Sequence, residues 1–202
     1  MALSKVDFNS INVTPAASKA IKFNSSNNGF ETGDVGGSLV LISTQTASSS
    51  ANITFDSGID STYKEYIFKF IDIHPANDDV EFQVNFRDGS TAYDAIKTST
   101  FFYAYHNESD SATSLTYDTG SDLAQSTSAQ RIVLGQGNGN DESVAGTLHL
   151  FEPSSTTFVK HFMARMSFYQ HNNYAFDNYT AGYCNVTAAI DGVQFSFSSG
   201  NI

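Results

Sequence analysis

The chain has 202 residues, of which 13% are aromatic and 15% charged, and its net charge is −11 at pH 7. This length fits one domain with a sizeable buried core. The acidic balance and the lack of any run of Lys or Arg argue against nucleic acid as a partner, because phosphate binding needs a basic surface. No apolar run approaches the ~20 residues that span a bilayer, so we expect no membrane partner either.

The beginning of the sequence gives no sign of secretion. Residues 1–7 read MALSKVD and lack the apolar region of a signal peptide. We therefore expect synthesis in a cytoplasm, with release by lysis or as part of a particle. The single cysteine, Cys184, excludes an intrachain disulfide. It lies in a strand-like run, and we expect a small buried apolar residue rather than a nucleophile.

Residues 1–36 differ from the rest of the chain. Scattered apolar residues alternate with Asn, Ser and Gly, and they are too few to form a core. The run Pro15–Ile21 could form one or two helical turns. We predict that residues 1–36 are an extended N-terminal arm for anchoring or oligomerisation, which docks on its own domain or on a neighbouring chain. Residues 37–202 are predicted to form the main domain.

Short strands follow from residue 37 onward. The continuous apolar run Leu39–Ile42 predicts a buried strand. Val80–Phe86 alternates apolar and polar residues, which is typical of a strand with one face in solvent. Arg87–Ser90 contains a turn glycine and predicts a hairpin whose return strand is Tyr93–Lys97.

The stretch Gly146–Phe168 predicts a central hairpin around the tight turn Pro153–Thr156. Its second arm carries apolar residues on both faces. One face has Phe158, Phe162 and Met166, and the other has Val159, His161 and Met163. Such a strand belongs in the middle of a sandwich or at a subunit contact.

These patterns together predict an all-β fold of eight to ten strands. Beyond a short helical turn at Ser121–Gln125, no helix of useful length is expected. We predict an antiparallel β-sandwich of jelly-roll type with an N-terminal arm. An immunoglobulin-like sandwich is the alternative, although the chain lacks the Cys and Trp of that core. The candidate core residues are Phe68, Phe82, Phe158 and Phe195.

Motifs of catalysis are missing from the sequence, which has neither GxSxG nor HExxH. We therefore predict a protein that is not an enzyme and needs no cofactor. His149 and His161 flank the central turn and are predicted to form a cross-strand polar pair. Two acidic clusters, Asp78–Asp79 and Asn138–Glu142, could hold a structural calcium ion, and ordinary solvated turns are the alternative.

One candidate binding site is the run Tyr169–Tyr179, whose sequence is YQHNNYAFDNY. Aromatic faces and amide groups suit carbohydrate hydroxyls, so the run is a candidate sugar-stacking loop. Tyr is also enriched at subunit interfaces, and a contact with another subunit is the alternative. The candidate contact residues are Tyr169, His171, Asn173, Tyr174 and Tyr179.

Several stretches resemble virion-associated structural proteins of marine tailed bacteriophages, including phages of cyanobacteria. The resembling stretches are Ala20–Thr32 (AIKFNSSNNGFET), Ser61–Pro75 (STYKEYIFKFIDIHP), Thr100–Ala112 (TFFYAYHNESDSA), Asp122–Ser126 (DLAQS) and Gly146–Phe162 (GTLHLFEPSSTTFVKHF). They are structural rather than catalytic motifs and extend over most of the chain.

The resemblance implies a non-enzymatic fibre or decoration protein on the exterior of a phage particle. Its expected partners are copies of itself, as a homo-oligomer and most simply a trimer, together with other capsid or tail proteins. The alternative is a receptor-binding module of a tail fibre that binds a host surface glycan. The resembling proteins continue past the equivalent of 199–202 into a further strand, so we expect that strand to be absent here or supplied by a partner.

Overall fold

The structure, a computed structural model, describes residues 13–14, 16, 19–34 and 39–202. The described residues form an all-β fold with antiparallel sheets, which confirms the predicted fold class. The jelly-roll topology and the arm stay predictions. Within the described part, no helix is long and apolar enough to cross a membrane. The predicted domain boundary at 36/37 falls within 35–38, which lie outside the described residues.

The chain divides into two compact units, Met1–Thr44 and Gln45–Ile202. In the first unit, strands β1 (Lys19–Phe23) and β2 (Phe30–Asp34) form an antiparallel hairpin. Phe23 stacks on Phe30 across this hairpin, with ring centroids 5.1 Å apart. The predicted helical turn at 15–21 is wrong for residues 19–21, because their backbones pair with β2. Residues 15, 17 and 18 lie outside the described part.

The apolar run Leu39–Ile42 corrects a second prediction. It is neither a strand nor buried, since the four residues are 60, 61, 81 and 46% exposed. A short apolar run indicates that its side chains are favourably buried, but it does not show whether the same chain or another one buries them.

The second unit consists of two sheets. The six-stranded sheet has the order β4-β9-β10-β11-β6-β7 and the four-stranded sheet the order β3-β12-β5-β8. The bounds are β3 Ile53–Phe55, β4 Glu65–Ile73, β5 Phe82–Arg87, β6 Lys97–Asn107, β7 Thr113–Tyr117, β8 Gln130–Arg131, β9 Val144–Phe151, β10 Lys160–Gln170, β11 Tyr174–Cys184 and β12 Gly192–Phe197. Buried residues of both sheets form one hydrophobic core, as in a β-sandwich.

Aromatic rings connect the two sheets. Phe195 on β12 lies 4.9 Å from Phe70 and 5.4 Å from Phe68 on β4, between ring centroids. Phe82 and Phe195 are buried and Phe68 is half-buried against them, as predicted for the core. Phe158 is 70% exposed, so that core prediction is wrong. Phe158 lies in the loop before β10, where no strand geometry turns it inward.

The predicted central hairpin is present, but its connection and the burial of its second strand differ from the prediction. A loop of residues 152–159 joins β9 to β10 in place of the predicted four-residue turn. Along β10 the residues alternate strictly between buried and exposed from Lys160 to Phe168. Within the single chain only one face of β10 is covered, so the sandwich alternative is wrong for the other face, and the subunit contact stays a prediction. Met163 on the outward face is 55% exposed.

Two further local predictions are wrong. The segment after β5 does not return as a hairpin, because β5 belongs to the four-stranded sheet and β6 to the six-stranded one. At the end of β5, the Arg87 side chain forms an ion pair with Asp191, with Nε 2.9 Å from Oδ1. The helical turn at 121–125 is also absent, since the backbone N–H groups of Leu123 and Gln125 donate to the hydroxyls of Ser99 and Thr98.

A row of polar groups closes one end of the core. Lys160, Cys184 and Lys97 lie side by side on β10, β11 and β6, and all three are 0% exposed. Nζ of Lys97 donates to the carbonyl of Ser128 at 2.8 Å, and Nζ of Lys160 to that of Val186 at 2.6 Å. Cys184 is buried, as predicted. Burial lowers the pKa of Lys97 from 10.5 to about 8 and raises that of Cys184 from 9.0 to about 12.

These shifts predict a pH dependence of stability. Between pH 8 and 10.5 the unfolded chain holds the Lys97 proton more tightly than the folded chain, so stability rises with pH. The rise is at most about 1.4 kcal/mol per pH unit. Above pH 9, Cys184 acts in the opposite direction, because the folded protein retains the thiol proton. We expect stability to increase from pH 8 to 9 and then to level off.

Urea unfolding between pH 7 and 10.5 measures this dependence. Lys97→Met should reduce the rise between pH 8 and 9. Burial also lowers the pKa of Lys160, which leaves a smaller rise in the same direction. Cys184→Ala should let the rise continue above pH 9. Equal dependence of stability on pH in all three proteins would contradict the attribution of these changes to Lys97 and Cys184.

Candidate functional site

The candidate site is the outward face of the six-stranded sheet, called here the outer face. It is formed by the alternate residues that point away from the core, including His161, Met163, Arg165 and Ser167 on β10. Its central row runs in register across all six strands. The members of this row are Lys69, Thr147, Arg165, Tyr179, Phe102 and Tyr117.

An ion pair and stacked rings form the middle of this row. Arg165 Nε and Nη2 donate to the two carboxylate oxygens of Asp177 at 3.0 and 2.8 Å. The guanidinium also lies 5.0 Å from the centroid of the Tyr179 ring. On the other side of that ring, Phe102 stacks at 4.9 Å with an interplanar angle of 1°. The hydrogen bonds from Arg165 lower the pKa of Asp177.

The stacking limits what Tyr179 can bind. Arg165 covers one face of its ring and Phe102 covers the other. Its hydroxyl donates to Asp177 Oδ2 at 3.1 Å. Sugar stacking needs a free ring face, so the geometry does not favour Tyr179 as a sugar platform. The residue instead holds Arg165 and Phe102 in place.

Two grooves lie on the outer face, one on each side of the central row, where small residues form the floor. The first has a volume of about 470 Å³ and includes Ala145, Ser167 and Ala175, with His106, Glu108 and Tyr169 around them. The second has a volume of about 380 Å³ and includes Thr98, Thr100 and Ala181, with His161, Met163 and Tyr183 around them.

The run Tyr169–Tyr179 is a hairpin rather than a loop. Tyr169 is the last residue but one of β10, and Tyr174 and Tyr179 lie on β11. Only residues 171–173 form the turn, in which Asn173 has a φ of 63°. Asn and Tyr occur at the turn and in the strands alike, so the composition of this run does not distinguish a loop from a hairpin.

The candidate contact residues of this run separate in space. Tyr169 lines the first groove, and its hydroxyl donates to Asn173 Oδ1 at 3.0 Å. His171 points elsewhere, with Nδ1 3.1 Å from the carbonyl of Gly135 and 3.1 Å from Asp79 Oδ1. Tyr174 packs edge-on against Tyr105 at 5.3 Å. The structure therefore brings Tyr169 and Asn173 together, but not the predicted set of five.

The predicted pair of His149 and His161 does not form. Strand register places Met163 opposite His149 and Tyr183 opposite His161. His149 Nδ1 lies 2.7 Å from Glu65 Oε1, and the His161 ring packs edge-on against Tyr183 at 6.1 Å. The loop at 152–159 is longer than predicted, and this changes which residues face each other.

The two acidic clusters do lie next to each other. The N–H of Asn138 donates to Asp78 Oδ1 at 3.3 Å, and the Glu142 carboxylate accepts the N–H of Gly139. These carboxylates therefore bind backbone groups of the loop. Among the described residues, no group of three or more His, Cys, Asp or Glu could hold a metal ion. The calcium site stays a prediction.

The Arg165–Asp177 ion pair and the stacking of Tyr179 on Phe102 were not predicted from the sequence. The signal was weak, since Arg165 and Asp177 are separated by a turn and become partners only through strand register. Comparisons with known proteins assign neither a family nor a function to the chain. No family model matches the chain, and neither a curated protein nor a solved structure matches it.

Proposed function

We propose that this protein is a non-enzymatic structural component of a bacteriophage virion. It is displayed on the particle exterior as a capsid decoration, head fibre or tail fibre. It assembles with itself, most simply as a trimer, and with other virion proteins. The observation that carries this proposal is the exposure of Leu39–Ile42, four consecutive large apolar residues that are 46–81% exposed in the single chain.

Apolar exposure of this kind favours a protein that functions in an assembly. Exposed apolar side chains clustered together mark interaction surfaces or aggregation hazards. The hairpin of the first unit adds to the exposed apolar surface, because Phe23 and Phe30 are 66 and 49% exposed. In an oligomer a neighbouring chain would cover these residues, which is one of the two arrangements predicted for residues 1–36.

The resemblance to phage structural proteins gives the assembly its context. Release by lysis needs no signal peptide, and an acidic surface keeps newly made copies soluble before they assemble. The described residues also offer stacked rings, ion pairs and backbone-bound carboxylates, and these are groups that stabilise a fold. These features support a structural role over a catalytic one.

Immunogold labelling of intact particles tests the proposal. Phage particles are purified from a host infected by the phage that carries this gene. They are labelled with antibody raised against the protein, and pre-immune serum is the control. We expect label on the particle surface. Label on the head would indicate a decoration or head-fibre protein, and label on the tail a tail fibre. Particles without label, in a lysate where the protein is abundant, would contradict an exterior virion role.

A second candidate function is binding of a host surface glycan, and the first groove of the outer face favours it. At about 470 Å³ it has the size of a small-ligand pocket. It offers a Tyr ring together with imidazole, hydroxyl and carboxylate groups from His106, Ser167 and Glu108. This mixture suits a sugar, which presents both hydroxyl groups and apolar C–H faces.

A glycan array tests the second candidate with matched variants. Ala175→Trp fills the first groove, and Ala181→Trp fills the second groove from the same strand and the same face. We expect wild-type binding to be lost in Ala175→Trp and kept in Ala181→Trp. A wild-type protein that binds no glycan, or equal binding by both variants, would contradict a glycan site in the first groove.

A further inference from the structure

The exposed segment Leu39–Ile42 has no regular secondary structure of its own. Among the described residues, none pairs with it in a sheet or forms a backbone hydrogen bond with it. Its sequence LVLI has the β-branched and apolar residues that are common in strands. Such a segment can add to the edge of a sheet, which satisfies its N–H and C=O groups and covers its side chains.

The sheets of the second unit offer four edges, and three of them are protected. β3 has three residues and β8 has two, so neither can hold a long added strand. β4 carries the exposed charge of Lys69 and a register irregularity between Phe70 and Ile73. Short length, charge and bulges are the features that keep sheet edges from pairing.

The fourth edge, β7, has none of these features. Thr113–Tyr117 is five residues long and contains neither charge nor proline, and its pairing with β6 is regular. Leu115 and Tyr117 are 74 and 50% exposed. Within the described part of the chain, β7 is therefore the edge best suited to accept another strand.

Charge also favours contact between this segment and this edge. Each copy carries a net charge of −11, so most contacts between two copies would bring like charges together. The sequence from residue 35 to residue 55 contains no charged residue, and neither does β7. An added strand formed by Leu39–Ile42 would therefore meet β7 without placing two carboxylates side by side.

We propose that Leu39–Ile42 of one copy adds as a strand to β7 of a second copy and extends the six-stranded sheet across the contact. This inference rests on the proposed self-assembly and names the surface through which it occurs. Leu41 and Leu115 are the most exposed apolar residues of the two elements, at 81 and 74%. Their side chains lie next to each other on the outer face in the paired sheet.

Disulfide trapping between full-length chains tests the contact. A chain with Leu41→Cys is mixed with a tagged chain that carries Ser114→Cys, Leu115→Cys or Thr116→Cys, and diamide is added. The three positions allow for register, and the tag identifies the mixed dimer. Ile71→Cys on β4 is the matched control, because Ile71 is 75% exposed and lies on a protected edge. Wild-type chains report any contribution of the buried Cys184.

The inference predicts several-fold more mixed dimer with the β7 positions than with Ile71→Cys, and most with Leu115→Cys. In addition, Leu41→Glu should lower the mass of the assembly in solution. Assemblies that form without a link at β7, or with equal links at Ile71→Cys, would overturn the strand addition while the proposed self-assembly stands. Chains that remain monomeric in every mixture would overturn both.

Discussion

Replacing Phe195 by Ala should lower the free energy of unfolding by about 3–5 kcal/mol. The ring is 2% exposed and packs against rings from both sheets, at centroid distances of 4.9 Å to Phe70 and 5.9 Å to Phe82. Removing it leaves a cavity between the sheets and takes away several edge-to-face contacts. A domain of this size has a total stability of only about 5–15 kcal/mol, so the loss is a large share of it.

Phe158→Ala is the control for this measurement. Phe158 is 70% exposed, and its truncation should change stability by less than about 0.5 kcal/mol. Urea unfolding monitored by circular dichroism compares the two variants with the wild type. Equal losses would mean that Phe158 is buried by another subunit, whereas a negligible loss for Phe195→Ala would mean that the two sheets do not pack as described.

Replacing Gly182 by Ala should cost about 1–3 kcal/mol, because the core has no room for the added methyl group. A Cβ at Gly182 would lie 2.6 Å from Cζ of Phe162 and 2.6 Å from the carbonyl oxygen of Thr98. The second contact is with the backbone of the neighbouring strand β6, which cannot move without disturbing the sheet. The small gain from a less flexible unfolded chain does not offset this clash.

Gly120→Ala provides a matched substitution at a position where the added methyl group meets a side chain rather than backbone. Its nearest neighbour would be the Asp118 side chain at 3.3 Å, and the backbone there has no positive φ. We expect this variant to be within about 0.5 kcal/mol of the wild type. Thermal unfolding of the two variants gives the comparison. A Gly182→Ala protein as stable as Gly120→Ala would contradict the close approach of β10, β11 and β6.

Local pattern predicted the strands that have one face in the core. The alternation predicted for Val80–Phe86 corresponds to the burial along β5, where buried and half-buried residues alternate. Side chains on successive strand residues point to opposite faces, so a two-residue period carries this information directly. The fold class followed from the number of such strands and from the lack of helical periodicity.

The partners of those strands could not be predicted in the same way. The turn signal at Arg87–Ser90 indicated a hairpin, yet the chain crosses there to the other sheet. Leu39–Ile42 had the composition of a buried strand and is exposed. Turn residues and apolar runs describe the local chain, whereas pairing and burial depend on residues far away in the sequence.

The candidate site was only partly predictable for the same reason. Tyr169 was selected for its aromatic ring and does line a groove. Arg165 meets Asp177 and Tyr179 only because β10 and β11 pair in one register, and Phe102 joins them from β6. A shift by one residue would turn all these side chains to the opposite face. Composition alone contains no information about that register.

Sedimentation equilibrium of the full-length protein tests the central claim, namely that this chain is built to assemble with copies of itself. The chain mass is 21.9 kDa. We predict an assembly with a whole-number multiple of that mass, most simply three times, which dissociates in the Leu41→Glu variant. A wild-type protein that remains a soluble monomer at the chain mass over the whole concentration range would contradict the claim.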